Sequence, residues 1–272
     1  MNPPPKSRRQ NLCAIAALVV AGMLANPAAA KSPEEKGFDI AARSDRSDRG
    51  FKDSIVDMKM ILRNAAGNET VRSLTIQTLE IADESVGDRS LIVFERPPDI
   101  GGTALLSHSK ILEPDDQWLY LPALKRTKRI SSINKSGPFV GSEFAFEDFT
   151  GQELNKYDYK YLREEPCGQL TCDVLERLPR YEYSGYTKQI AWIDQKDYQV
   201  RKVDFYDRRG SLLKSLALED YKKYTNGYWR PQLMRMVNHQ TGKSTDLIFS
   251  EYKFNNGFGD KDFVMGVLNR AR

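Results

Sequence analysis

The sequence predicts a mainly β protein of the α+β class: one long, strongly twisted antiparallel sheet with a few short helices. Three observations carry this expectation. From Ser54 onward apolar residues recur with period two, the alternation of a strand with one buried face. Turn-forming residues punctuate the runs, among them Gly67-Asn68, Asp115-Asp116, Arg209-Gly210, Asn226-Gly227 and Thr241-Gly242-Lys243. No βαβ rhythm appears, which argues against a parallel sheet.

The elements follow in order. Lys31–Gly50 is charged, and Ile40-Ala41-Ala42 marks a short helix. Val56, Met58, Met60 and Leu62 alternate with Asp57, Lys59 and Arg63 in the first strand, where only Ile61 breaks the pattern. Leu74 and Ile76 carry the second. Leu91–Phe94 is a continuous apolar run, as expected of a strand covered on both sides. Pro97-Pro98 ends it. Further strands are expected at Thr103–Leu112, Gln117–Leu121, Arg126–Ser131, Tyr157–Arg163 and Thr171–Leu178, then at Tyr186–Ile193, Tyr198–Tyr206, Leu212–Tyr221, Tyr228–Asn238 and Ser244–Phe254. No linker divides Lys31–Arg272 and no repeat of 20–50 residues appears, so one domain is expected.

Gly137–Gly151 departs from the meander. Ser142 is placed to cap a short helix with Glu143 in its first turn, and Phe139, Phe144, Phe146 and Phe149 need an apolar surface to cover. A lid and a packed loop both satisfy that pattern. Glu143, Glu147 and Asp148 beside these rings read as a solvated helix face rather than an acid/base pair.

Composition narrows the function. The 272 residues carry 41 Lys+Arg and 37 Asp+Glu, a formal charge of +4. Three of the basic side chains, Lys6, Arg8 and Arg9, open the chain. The apolar run Leu12–Leu24 follows, and then Asn26-Pro27-Ala28-Ala29-Ala30, the three regions of a secretory signal peptide cleaved near Ala30. Residues 31–272 then hold 38 basic against 37 acidic side chains. That balance lacks the basic face that nucleic-acid binding requires. Cys13 lies near the start of the apolar run, where a lipoprotein cysteine would lie at its end. Cys167 and Cys172 remain and flank a plausible turn, so in an exported protein they are read as a disulfide. With two histidines there is little material for a zinc site, and no metal or other cofactor is expected.

Catalytic signatures are absent from the sequence. There is no G-x-S-x-G, no H-E-x-x-H and no phosphate-binding glycine loop. His108 and His239 fall on separate expected strands. Lys125, Arg126, Lys128 and Arg129 form a basic cluster that suits phosphate head groups or an acidic partner, and equally an exposed turn and strand.

Three segments resemble a known family. Pro97–Leu106 resembles its P-x-D-x-x-G-T-A-L-L element, and Asp115–Arg126 its D-D-Q-W-L-Y-L-P-A-L-K-R run, continuing into Lys128-Arg129-Ile130. Phe139–Phe144 with Glu147-Asp148 resembles F-x-G-S-x-F…E-D. These elements, in this order, resemble the outer-membrane lipoprotein-sorting proteins, LolA-like in fold. The resemblance implies a periplasmic half-barrel in which about ten or eleven strands curl around short helices. It also implies an apolar cavity under a lid that shelters acyl chains of lipids or lipoproteins, with transient membrane contact and an inner-membrane exporter of the resistance-nodulation-division (RND) type as partner. A sensor of the same fold, regulating a membrane protein, is the alternative. The resemblance does not identify in this sequence the arginine that latches the lid of the lipoprotein carrier proper.

A carrier has a physical task. Exposing acyl chain to water costs about 0.8 kcal/mol per methylene, or roughly 12 kcal/mol for a chain of about sixteen carbons. Met58 and Met60, adaptable methionines, together with Leu62, Leu74, Ile76, Trp118 and Tyr120, are the expected cavity wall. Alternation alone would equally describe a filled core.

Overall fold

The computed structural model describes residues 1–3, 31–83, 85–224 and 227–270. The expected leader, including Cys13, and Asn226 of one expected turn lie outside the described residues. Helix α1 spans Pro33–Asp48, well beyond the short apolar signal. A capping box starts it: Ser32 accepts from the Glu35 amide, and the Glu35 carboxylate accepts from the Ser32 amide. Its buried face is small, made of Gly37, Ile40, Ala41 and Ala42, which is why few apolar residues announced it.

The strands are β1 (Asp53–Arg63), β2 (Glu69–Leu79), β3 (Val86–Arg96), β4 (Ala104–Lys110), β5 (Asp116–Leu121), β6 (Arg126–Arg129), β7 (Tyr157–Cys167) and β8 (Leu170–Pro179). They continue as β9 (Lys188–Asp194), β10 (Val200–Tyr206), β11 (Leu212–Glu219), β12 (Lys222–Lys223), β13 (Trp229–Arg230), β14 (Leu233–Asn238), β15 (Ser244–Phe249) and β16 (Lys253–Phe254).

Two meanders make the main sheet. β1 to β6 run outward from its middle to one edge. The second begins at β7 on the other edge and returns to β15, which pairs with β1, Met60 opposite Leu247. β6 and β7 do not pair, so the sheet stays open as a curved half-barrel. It holds fourteen strands among the described residues rather than ten or eleven. Two expected single strands are broken, and one of the breaks adds a strand to this sheet. Pro231, which has no N–H to give a ladder, parts β13 from β14, and β13 pairs with β12 in a separate hairpin. β16 pairs with the start of β1 after the chain has left β15. The Cys167–Cys172 disulfide closes the β7–β8 hairpin.

Residues 130–156 connect the two edges across the concave face. The helix expected at Ser142 does not form. Gly137, Pro138 and Gly141 cut the segment into single 3-10 turns at Phe139–Gly141 and Phe146–Phe149. Ser142 follows the first turn and bonds locally to the Phe144 amide, while the Asp148 carboxylate accepts from the Ala145 amide at 2.7 Å. Phe139 and Phe144 join Met58, Met60, Leu74, Phe94, Met236 and Leu247 in the main core. A second core lies on the opposite face, where Phe263 and Leu268 cover Leu79, Leu91, Ala104 and Leu106. β3 is therefore covered on both sides. No helix among the described residues is long and apolar enough to cross a membrane.

Candidate ligand cavity

The concave face is only half filled. Beside the phenylalanine plug lies a cavity of about 540 Å³, within the roughly 300–1,000 Å³ of small-molecule sites. Its floor runs across the sheet from Tyr159 on β7 through Val203 and Phe205 on β10, Leu216 and Leu218 on β11, and Met234 and Met236 on β14, to Val56 and Ile76 on β1 and β2. Phe144 and the stretch Asp148–Leu154 roof it, and α1 walls one side with Ala41, Ser44, Asp45 and Asp48. The two-residue period puts each floor side chain on one face, and the curl of the sheet makes that face concave.

Of the seven residues expected on the wall, Ile76 lines this space. Met58, Met60 and Leu74 face the same way but are buried in solid core with Phe139 and Phe144, and Leu62 packs against that core. Met234 and Met236 line the cavity instead. Trp118 and Tyr120 are corrected to the opposite face, packed against the Phe263–Leu268 core. The inward positions of β5 belong to Gln117, bonded to the Phe146 carbonyl, and to Leu119. The β1 and β14 patterns were both visible, but alternation gives a face and not what covers it.

The four phenylalanines divide the work. Phe144 and Phe149 border the cavity. Phe139 is fully buried, with ring centroids 5.6 Å from Phe94, 5.5 Å from Phe146 and 4.6 Å from Phe149. Polar contacts fasten this segment to the sheet. Arg72 on β2 donates to the Val140 carbonyl at 2.5 Å. Lys214 on β11 donates to Asp148 at 2.6 Å and to the Glu143 carbonyl at 2.9 Å. Asn238 donates to the Glu143 carboxylate at 2.7 Å. Glu147 is 4% exposed and accepts from the Gly185 amide and the Ser184 hydroxyl. The solvated acidic face expected here is thus a set of buried and half-buried fastenings. Sequence could not show that Lys214 and Asn238 point inward to meet it. Burial pushes the Glu147 carboxyl up to about 7.

Charged groups also reach the cavity. Arg230 pairs with Asp48 and lies over the Phe51 and Phe254 rings. Glu153 pairs with Lys156 at 3.0 Å and accepts from the Asp88 amide. Burial pushes the Asp88 carboxyl up to about 7. Arg177 and Gln189 rise side by side from β8 and β9.

The remaining candidates lie elsewhere. Lys125 takes the left-handed conformation (φ 49°) in the turn before β6, and Arg126, Lys128 and Arg129 are exposed on that edge strand, with Arg129 paired to Asp116. His108 contacts the Phe263 carbonyl at 2.7 Å. His239 contacts Ser215 at 2.8 Å, but that hydroxyl donates to Asp204 at 2.5 Å. In a Ser-His-Asp triad the acid orients the imidazole instead.

Comparison with known proteins agrees with the architecture. Residues 87–270 match a family described as an uncharacterized protein. The chain is similar to an outer membrane lipoprotein-sorting protein domain from Vibrio parahaemolyticus, at 49% identity and TM-score 0.84 over 87% of this chain and 100% of that one. A DUF1329 family protein from Desulfovibrio piger shares 29% identity at TM-score 0.83, over 88% of this chain and 100% of that one. A LolA superfamily protein from Nitrosomonas europaea shares the fold at 21% identity and TM-score 0.68, over 87% and 99% of the two chains. No curated protein matches.

Proposed function

The chain belongs to the family of outer-membrane lipoprotein-sorting protein domains, and from that premise we propose that it is a periplasmic carrier or chaperone that shields acyl chains of a lipid or lipoprotein. The observation that carries this reading is the cavity of about 540 Å³ between sheet, α1 and plug. Its floor of Val, Ile, Leu, Met and Phe side chains offers an acyl chain an apolar lining in place of water. Uptake needs no covalent chemistry: Phe144 and the Asp148–Leu154 roof would shift to admit the chain, and ligand would favour the closed arrangement. Delivery would run from an RND-type exporter in the inner membrane toward the outer membrane. Mass spectrometry of lipid extracted from the purified protein, with uptake of a fluorescent fatty acid, tests the reading. Co-purified amphiphile and saturable uptake are expected. An amphiphile-free protein that takes up no probe would defeat it.

A second reading, a periplasmic accessory protein that regulates a membrane-protein partner, draws on one observation. The edge strand β6 presents Arg126, Lys128 and Arg129 to solvent beside the exposed Leu124 and Ile133. Charge reversal at Lys125, Arg126, Lys128 and Arg129 should then abolish partner capture and leave fatty-acid uptake intact. Equal capture by mutant and parent would remove it.

A further inference from the structure

An arginine inside an apolar cavity normally has a carboxylate beside it, because an unpaired buried charge is costly. Two arginines on the cavity lining obey this: Arg230 pairs with Asp48, and Arg49 with Asp45. Arg177 does not. It takes the inward position of β8, in register with Tyr159 on one side and Gln189 on the other, and both neighbours also line the cavity. Its Nε is buried without a hydrogen-bond partner, and among the described residues no hydrogen bond or ion pair engages its guanidinium.

Gln189 repeats the pattern. It is 2% exposed, and its Oε1 is buried without a partner. Rotating the amide exchanges Oε1 and Nε2, so this side chain can present either an acceptor or a donor. The acids nearby are engaged. Asp148 pairs with Lys214, and Glu153 with Lys156. Asp88 accepts from the Ile81 amide. Two adjacent polar side chains that border the same space thus each carry a buried atom without a hydrogen-bond partner.

We propose that Arg177 and Gln189 form the head-group anchor of this cavity, and that its ligand is a single-chain amphiphile with an anionic carboxylate or phosphate head. The guanidinium fork matches such a head in two parallel hydrogen bonds, and the Gln189 amide supplies a third. The chain lies along the floor toward Leu218, Met234 and Ile76. The head group therefore lies at the β8–β9 end of the floor, and the chain runs from there toward β2. This assignment rests on the carrier reading and adds the ligand's charge and orientation to it.

The test titrates delipidated protein with palmitate, hexadecanol and inorganic phosphate, for the parent and for Arg177→Met and Gln189→Leu, with thermal unfolding in parallel. Arg177→Met should weaken palmitate binding by about tenfold or more and leave hexadecanol binding unchanged. Gln189→Leu should weaken palmitate in the same direction, and phosphate alone should bind far more weakly than palmitate. Ligand-free Arg177→Met should melt no lower than the parent, because it removes an uncompensated charge. Palmitate affinity unchanged by Arg177→Met would overturn the anchor while leaving the carrier standing. A markedly lower melting temperature would make the arginine structural and overturn it too. Phosphate binding as tight as palmitate would assign the pair to a free anion instead. If neither palmitate nor hexadecanol binds the parent, the carrier reading falls and the anchor with it. Should Arg177→Met not fold, Gln189→Leu decides on the same criteria.

Discussion

Arg72 holds Val140. Its guanidinium reaches from β2 to the Val140 carbonyl at 2.5 Å while lying 5.9 Å from the Phe94 ring centroid. Val140 itself sits in the left-handed region at φ 47°, a costly place for a β-branched residue. One charged hydrogen bond from the sheet thus fixes the backbone at the most strained point of the plug.

Replacing Arg72 by Ala should therefore loosen the plug more than it disturbs the sheet. Loss of a hydrogen bond from a charged donor predicts about 1.5–3 kcal/mol. Hydrogen exchange should rise at residues 138–149 with β1–β3 still protected. Uniform loss of protection would show that the arginine serves the whole fold.

Filling the floor should block uptake. Ile76→Trp places a large side chain in the cavity and is expected to reduce fatty-acid binding severalfold. Trp118→Ala, on the opposite face beside His108, should cost about 2–3 kcal/mol of stability and leave binding unchanged. Denaturant melts and fluorescent titrations of both variants separate the two faces.

Helix α1 depends on one glycine. A Cβ on Gly37 would lie 2.7 Å from the Tyr161 amide nitrogen and 2.9 Å from the Lys160 carbonyl carbon. The obstacle is backbone and cannot rotate away. Gly37→Val should push the helix off β7, lower stability by roughly 1–3 kcal/mol and open the cavity wall that Ala41 and Ser44 supply. Thermal unfolding, with quenching of a cavity-bound fluorescent probe, reads both effects.

Glu147 predicts the pH response. Its carboxyl is pushed up to about 7 in the folded protein from an ordinary 4.5. Between those values the folded state holds the proton more tightly than the unfolded chain, so stability falls as pH rises through that window. Glu147→Gln should flatten the fall. Asp88, also pushed up to about 7, would account for what slope remains. Melting temperatures from pH 4 to 8 measure the difference.

The disulfide should be a staple remote from the cavity. Substituting Cys167 and Cys172 by Ala should lower stability by about 2 kcal/mol, by the loop-entropy estimate, and leave ligand binding intact. Denaturant midpoints beside palmitate titrations would reveal any effect on the cavity.

Much of the sheet was legible because period-two alternation and turn residues are local. The order of the strands was not: nothing near Met60 in sequence announces Leu247 as its neighbour. The cavity was legible only as an apolar face. Met58 and Met234 carry the same signal, yet the plug fills the space above one and leaves the other open. The polar residues that matter did leave a mark. Arg72 shares the inward parity of Leu74 and Ile76, and Arg177 that of Leu175. A charge breaking an apolar alternation is a signal that a search for whole motifs passes over. Reading Glu147 as solvated failed for the complementary reason, since its partners Ser184 and Gly185 come from a distant loop.

The seam where β1 meets β15 has a kinetic consequence. That pairing joins residues from the two ends of the described fold, and contacts of such long sequence separation are slow to form. Until it closes, the two meanders are separate sheets and no common hollow exists between them. Competence to take up a ligand and completion of folding should therefore arrive in the same step, which stopped-flow refolding in the presence of a fluorescent fatty acid would register as a single shared phase.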